Sequence, residues 1–301
     1  MRNHLFKHKK SRSMKMFLFT LFILFVTINM HSIRYGVSQP PNDLSGAKVA
    51  VYNGSGALVS SYDALVAMFE WMNATVNSID SHDILNGNLS GYDILAFPGG
   101  NTYLYQALLG DEGIGIVRNF LRNGGSYFGI CGGALFGTDG LNLIQGEFLP
   151  TTPAMLDGTY IIEMNVNKIS NGPDLSGEPA TYHLLYWSSQ YYHSAGMSNI
   201  NPIMTYQYNN QPGMITFRYG SGTVFLSFPH PEYEEDSNRD GTSAFDNLYD
   251  PDSEWNLLLK VSLWLYLASG ASLMDLGTSV TIVATTAIAI TIFIIYKRRK
   301  R

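Results

Sequence analysis

The chain has 301 residues and a formal charge of −5, a value that conceals its arrangement: twelve of the 19 Lys and Arg lie in residues 1–34 and 297–301, whereas all 24 Asp and Glu lie between Asp43 and Asp275. The intervening region holds seven basic residues against 24 acidic ones, a net of −17, which repels phosphate backbones and anionic headgroups and excludes a nucleic-acid partner. One cysteine, Cys131, excludes an internal disulfide framework.

Residues 1–35 open with six basic side chains between Arg2 and Lys15 and run into the uncharged stretch MFLFTLFILFVTINM at 16–30. A basic segment before so short an apolar run reads as a signal sequence or, for want of a clear small-residue cleavage site, as a signal anchor. Residues 36–46, including SQPPNDLSG, form a linker. Sequons at Asn53, Asn73 and Asn88 fit an exported domain.

The runs AKVAVYN (47–53), TVNSI (75–79), YDILAFPGG (92–100) and SYFGI (126–130) predict strands, with helical stretches near 58–72 and 113–123 between them. Apolar β-rich runs alternating with helices predict an α/β fold, a flavodoxin-like three-layer sandwich with a mostly parallel sheet. The helix near 113–123 sets Ile116, Val117, Phe120 and Leu121 opposite Arg118 and Arg122, and the glycines of RNGG stop it. From 159 to 228 the texture becomes aromatic and β-rich, predicting antiparallel strands or an elaborated edge. SEWNLLLKVSLWLYLAS (253–269) reads as a last amphipathic helix with Ser253 as its N-cap.

After a juxtamembrane linker at 270–276, residues 277–296 contain no charge, and about 20 residues suffice to cross the hydrocarbon core as a helix. The basic tail 297–301 favours the cytoplasmic side. Residues 47–269 are therefore expected as a domain outside the cytoplasm, tethered to the membrane by this C-terminal helix.

Chemistry concentrates at three places. A strand followed by Gly129-Ile130-Cys131-Gly132-Gly133 and a helical stretch has the form of a nucleophile elbow with cysteine in place of serine; an inert glycine-rich turn has the same form. The elbow would set the thiol at a helix N-terminus, where peptide dipoles favour thiolate. In FPHPE, His230 and Glu232 lie two apart on a segment held extended by prolines, so they share a side and the carboxylate can fix the imidazole tautomer. In FPGGN, Gly99 and Gly100 end another strand and, with Gly132, can offer N–H groups to an oxyanion, unless the segment is a plain turn.

Two further patterns concern metals. DSNRDG (236–241) matches the opening of a calcium loop through Asp236, Asn238 and Asp240, although Asn247 and Ser243 occupy positions where such a loop has glutamate and an apolar residue. A solvated acidic loop is the other reading. His183 and His193 lack a third ligand at suitable spacing, which favours a pocket wall or polar packing over zinc, and Trp187 and the tyrosines around them suit such a wall.

FPGG, GICGG and HPE, in this order and at these separations, resemble the class I glutamine amidotransferase-like superfamily. The texture PGG, GGSYFGICGGA and PHPE is most similar to the amidotransferase-like domain at the N-terminus of some biotin protein ligases. The resemblance covers residues 47–269 and implies a catalytic triad of Cys131, His230 and Glu232 with an oxyanion region at Gly99, Gly100 and Gly132. It implies hydrolysis or transfer of a small-molecule or peptide amide with no cofactor required, structural calcium being the one ion considered. Gly132 stands where the protease-like branch has histidine, no biotin ligase catalytic domain follows, and no synthetase domain receives ammonia. A cysteine peptidase and a catalytically silent scaffold of the same fold are the alternatives.

Overall fold

The computed structural model describes residues 42–144, 148–150, 157–168, 171–192, 199–234 and 237–268. The expected signal segment, most of its linker, and the expected membrane span and basic tail lie outside these residues; among those described, no helix is long and apolar enough to cross a membrane.

In chain order the elements are β1 (Lys48–Tyr52), α1 (Val59–Trp71), β2 (Thr75–Ile79), α2 (Ser81–Leu85), β3 (Ile94–Phe97), α3 (Thr102–Arg122), β4 (Ser126–Ile130) and α4 (Gly132–Leu135). Then follow β5 (Phe148–Pro150), β6 (Thr159–Val166), β7 (Thr181–Trp187), β8 (Gln190–Tyr192), β9 (Ile200–Tyr206), β10 (Pro212–Tyr219), β11 (Gly222–Ser227) and α5 (Trp255–Ala268). Strands alternating with helices in the first half build a sheet in the order β2-β1-β3-β4-β11-β10-β9-β6-β7; β5 and β8 pair separately.

Strand periodicity explains the layers. Successive residues of β1 point to opposite faces, so Val49 and Val51 join one core with α1 and α5 while Ala50 and Tyr52 join the other. The first core contains Leu65, Met68 and Phe69 of α1 and Leu257, Leu258 and Val261 of α5. Leu109, Val117 and Leu121 of α3 close the second. Every residue of β3, β4 and β11 is buried, the condition that makes central parallel strands read as continuous apolar runs.

The sheet is mixed, which corrects the expectation of a mostly parallel one. Strands β2, β1, β3, β4 and β11 run parallel, whereas β10, β9, β6 and β7 extend the sheet antiparallel. The reason lies in connection length: Tyr219 pairs with Gly222 across a two-residue turn, and a link that short can only reverse the chain. Gly220, at φ +62°, accepts the left-handed conformation that this turn needs.

Two helix expectations are also adjusted. Helix α3 begins at Thr102, where the Asn101 side chain accepts the N–H groups of Tyr103 and Leu104, and it is interrupted at Gly110 (φ 57°, ψ −172°). Only the part after this break corresponds to the apolar stripe near 113–123. Helix α5 begins at Trp255, so Glu254, whose carbonyl accepts the Leu258 N–H, precedes its first turn. The Ser253 hydroxyl instead accepts from Arg239 and donates to Glu234.

This architecture positions a site through strand register. Phe97 aligns with Gly129, and Ile130 with Ser227, so neighbouring strands β3, β4 and β11 end at one level. The loops that follow them carry Gly99-Gly100, Cys131 and His230, at the carboxyl edge where α/β sheets place their ligands.

Candidate active site

Strand β4 runs straight into Cys131, which adopts φ 47° and ψ −107° and is followed by the short helix α4. Such a conformation costs roughly 1–3 kcal/mol for a residue with a side chain. Its amide donates to the Ser227 carbonyl at 2.7 Å and its carbonyl accepts from Leu135 at 2.9 Å, so the turn is fixed on both sides. A Cβ on Gly132 would lie 2.1 Å from the Gly100 carbonyl oxygen, and one on Gly133 would lie 2.1 Å from that of Phe97. Bare backbone at these two positions lets the elbow press against the loop after β3.

The histidine segment is equally fixed. The His230 amide donates to the Leu185 carbonyl of β7 at 2.9 Å, joining the end of β11 to the antiparallel half of the sheet. His230 Nδ1 lies 2.9 Å from Glu232 Oε1, with both side chains fully buried. Burial opposes charge on this ring, but the Glu232 carboxylate and the Cys131 sulfur outweigh it and push the His230 pKa up to about 10. With Nδ1 engaged by Glu232, Nε2 makes no hydrogen bond among the described residues and is the nitrogen left for Cys131 and substrate. Trp187 and Tyr233 lie 5.7 and 5.6 Å from the imidazole, centroid to centroid, and form part of its wall.

The glycine loop departs in one respect from its expected role. The Gly99 N–H donates to the Ser61 hydroxyl at 2.9 Å, so it is not turned toward a reacting carbonyl. Gly100 and Gly132, pressed together, are the two whose N–H groups meet no acceptor among the described residues. Tyr105 holds the loop from beneath by donating to the Pro98 and Gly99 carbonyls, and burial raises its pKa well above the ordinary phenol. Ser61 itself is a site residue that the sequence did not reveal: a serine in the first turn of a helix carries no sign of partners 38 and 171 residues away.

A cleft of about 670 Å³ opens beside the elbow, lined in part by Gly100, Gln106, Leu135, Asp139 and Gln190. Its size falls in the range of small-molecule sites. Asp139 is exposed, and partial burial of its carboxylate raises its pKa.

The metal candidates lie elsewhere. Asp236 and His193 are outside the described residues, and Asn238 and Asp240 form a single 3₁₀ turn. Asp240 is fully buried and accepts the N–H groups of Glu234 and Thr242 on its two oxygens, so this carboxylate braces the loop itself; burial pushes its pKa up to about 6. His183 pairs with Asp252 at 2.8 Å, a hydrogen bond that raises its pKa. Among the described residues the one cluster with metal-ligand spacing is Asp80, His82 and Asp83, whose two aspartates form the capping box of α2.

Residues 47–149 match the protein-family model described as "Biotin-protein ligase, N terminal". The chain is 23% identical over 215 residues to the biotin–protein ligase of Schizosaccharomyces pombe, covering 63% of this chain and 34% of that protein. It is 28% identical over 158 residues to an uncharacterized protein of Chlamydia muridarum, covering 46% of this chain and 60% of the other. The chain thus spans less than two thirds of either relative. A glutamine amidotransferase of Thermotoga maritima superposes with a TM-score of 0.48 at 12% identity, over 74% of this chain and 90% of that structure. The family match over residues 47–149 supports the resemblance at two of its three motifs, the glycine loop and the elbow, and ends before His230.

Proposed function

We propose that this chain, which carries the biotin-protein ligase N-terminal pattern over residues 47–149, is a cysteine-nucleophile amide hydrolase of the glutamine amidotransferase type. The observation that supports it most strongly is the convergence of a strained Cys131 with a buried His230–Glu232 pair at the ends of adjacent strands. A catalytically idle turn has no need to hold a cysteine at φ 47° or to bury a charged pair beside it.

In this reading the Cys131 thiolate attacks the carbon of a carboxamide. The Gly100 and Gly132 N–H groups take the developing oxyanion, and the His230 Nε2 proton passes to the departing amine. The neutral imidazole then removes a proton from water, whose oxygen attacks the thioester carbon; the thiolate leaves and the carboxylic acid is released. Glu232 keeps Nδ1 protonated throughout and stabilises the imidazolium. The uncharged run 277–296 and basic tail 297–301 support a domain held outside the cytoplasm by a C-terminal membrane anchor.

A glutamine-like chloroketone or diazo-ketone tests the reading. It should alkylate Cys131 in the folded protein, and His230→Ala should slow labelling by roughly 10²-fold or more, in line with the loss of a positioned acid–base group. Equal labelling of the two proteins overturns the triad.

A further inference from the structure

Ser61 is fully buried in the first turn of α1, and its hydroxyl has a defined direction. It accepts the Gly99 N–H at 2.9 Å and donates to Glu232 Oε1 at 2.7 Å. A hydroxyl has one proton, and an ionised carboxylate can only accept, so the proton lies toward Glu232. Glu232 Oε1 therefore takes two donors, Ser61 and His230 Nδ1, while Oε2 has no partner among the described residues. Next to this contact, the hydroxyls of Ser60 and Tyr233 lie 2.7 Å apart. The first turn of α1 thus grips two consecutive residues of the histidine segment.

We propose that Ser61 is a positioning residue of the triad, tying the orienting acid to the loop that precedes Gly100. This inference rests on the hydrolase reading above. Its first effect is on the acid: a donor on Oε1 stabilises the buried carboxylate and turns that oxygen toward Nδ1, which leaves Nε2 for the nucleophile. Its second is on the oxyanion region, since Gly99 is one peptide unit from Gly100, so acid and oxyanion donor are held through one hydroxyl. Without it the carboxylate keeps a single donor and the buried Gly99 N–H has none. Both changes disfavour the state in which thiolate, imidazolium and carboxylate coexist.

The test is the pH dependence of Cys131 alkylation by iodoacetamide, followed by peptide mass mapping in the full chain. Losing a hydrogen bond to a charged group should shift the midpoint of thiolate formation in Ser61→Ala upward by about one pH unit, a roughly tenfold loss of rate on the acid side. Ser61→Thr, which keeps the hydroxyl, should retain the wild-type midpoint. In a Glu232→Gln background Ser61→Ala should shift the midpoint by less than it does alone, because its effect through the carboxylate is already lost and only the Gly99 N–H remains to be affected. If Ser61→Ala does not fold, Ser61→Cys keeps the volume with a feeble donor and should shift the midpoint in the same direction, the label being mapped at Cys131. An unchanged midpoint in a folded Ser61→Ala or Ser61→Cys protein overturns the inference while His230→Ala still loses labelling. Equal labelling of wild type and His230→Ala instead removes the triad reading on which it rests.

Discussion

Cys131 occupies its strained conformation because its neighbours leave no alternative: Ser227 and Leu135 hold its peptide groups, and Gly132 lies against the Gly100 backbone. Gly132→Ala should therefore force the elbow from the glycine loop. Overpacking of this kind costs about 1–3 kcal/mol, equivalent to a fall in Tm of roughly 2–10 °C, and a thermal melt measures it. Cys131 labelling should fall with it, since one of the two proposed oxyanion donors moves. Cys131, His230 and Glu232 stood out in the sequence as candidates because glycines and prolines mark their backbone. Ser61 was not, since its importance comes from two long-range hydrogen bonds and from nothing in its own neighbourhood. Gly99 was assigned an N–H that the fold gives to that same serine.

Among the elements, the segment from Phe228 to Glu234 is secured from several directions, as expected if it carries a base whose position decides reactivity. Strand β7 accepts the His230 amide, Ser189 donates to the Phe228 carbonyl, and the indole N–H of Trp255, first residue of α5, donates to the Glu232 carbonyl at 3.0 Å. The Arg239 guanidinium stacks 4.2 Å above the Trp255 ring and reaches Glu234. Trp255→Phe keeps an aromatic ring but removes the donor and weakens the stacking, so it should destabilise the fold by about 1–2 kcal/mol in urea unfolding. It should also slow Cys131 labelling several-fold by loosening the acid. The first four strands and α1 were legible from apolar runs and their spacing. The first half of α3 was not, because its boundary rests on an asparagine cap and its break on Gly110, and the aromatic run 159–228 identified strands without saying how much of the sheet they would form.

For the whole molecule, the buried charges link folding to pH. The His230 pKa, raised to about 10 against an ordinary value of 6.5, means that the folded state binds this proton more tightly than the unfolded one. Its stabilising contribution is therefore fully present below about pH 6.5 and is lost as pH rises through about 10. The difference in unfolding free energy between wild type and His230→Gln should be larger at pH 7 than at pH 10.5, measured by denaturant titration at both values. A difference that widens with pH would mean a neutral ring in the folded protein. Release of the amine should decline over the same alkaline range, because the neutral ring has no Nε2 proton to give.

The pairing of β4 with β11 has a consequence for how the chain is made. Ser126 and Thr223, whose hydroxyls lie 2.8 Å apart, are separated by 97 residues. At a synthesis rate of roughly 5–20 residues per second, β4 would wait on the order of 5–20 s for its partner. Until then SYFGI is an uncovered apolar edge with the cysteine at its end, the kind of template to which other chains add. A nascent chain arrested after residue 149 would hold the elbow and the glycine loop but no base, and should require a chaperone to stay dispersed.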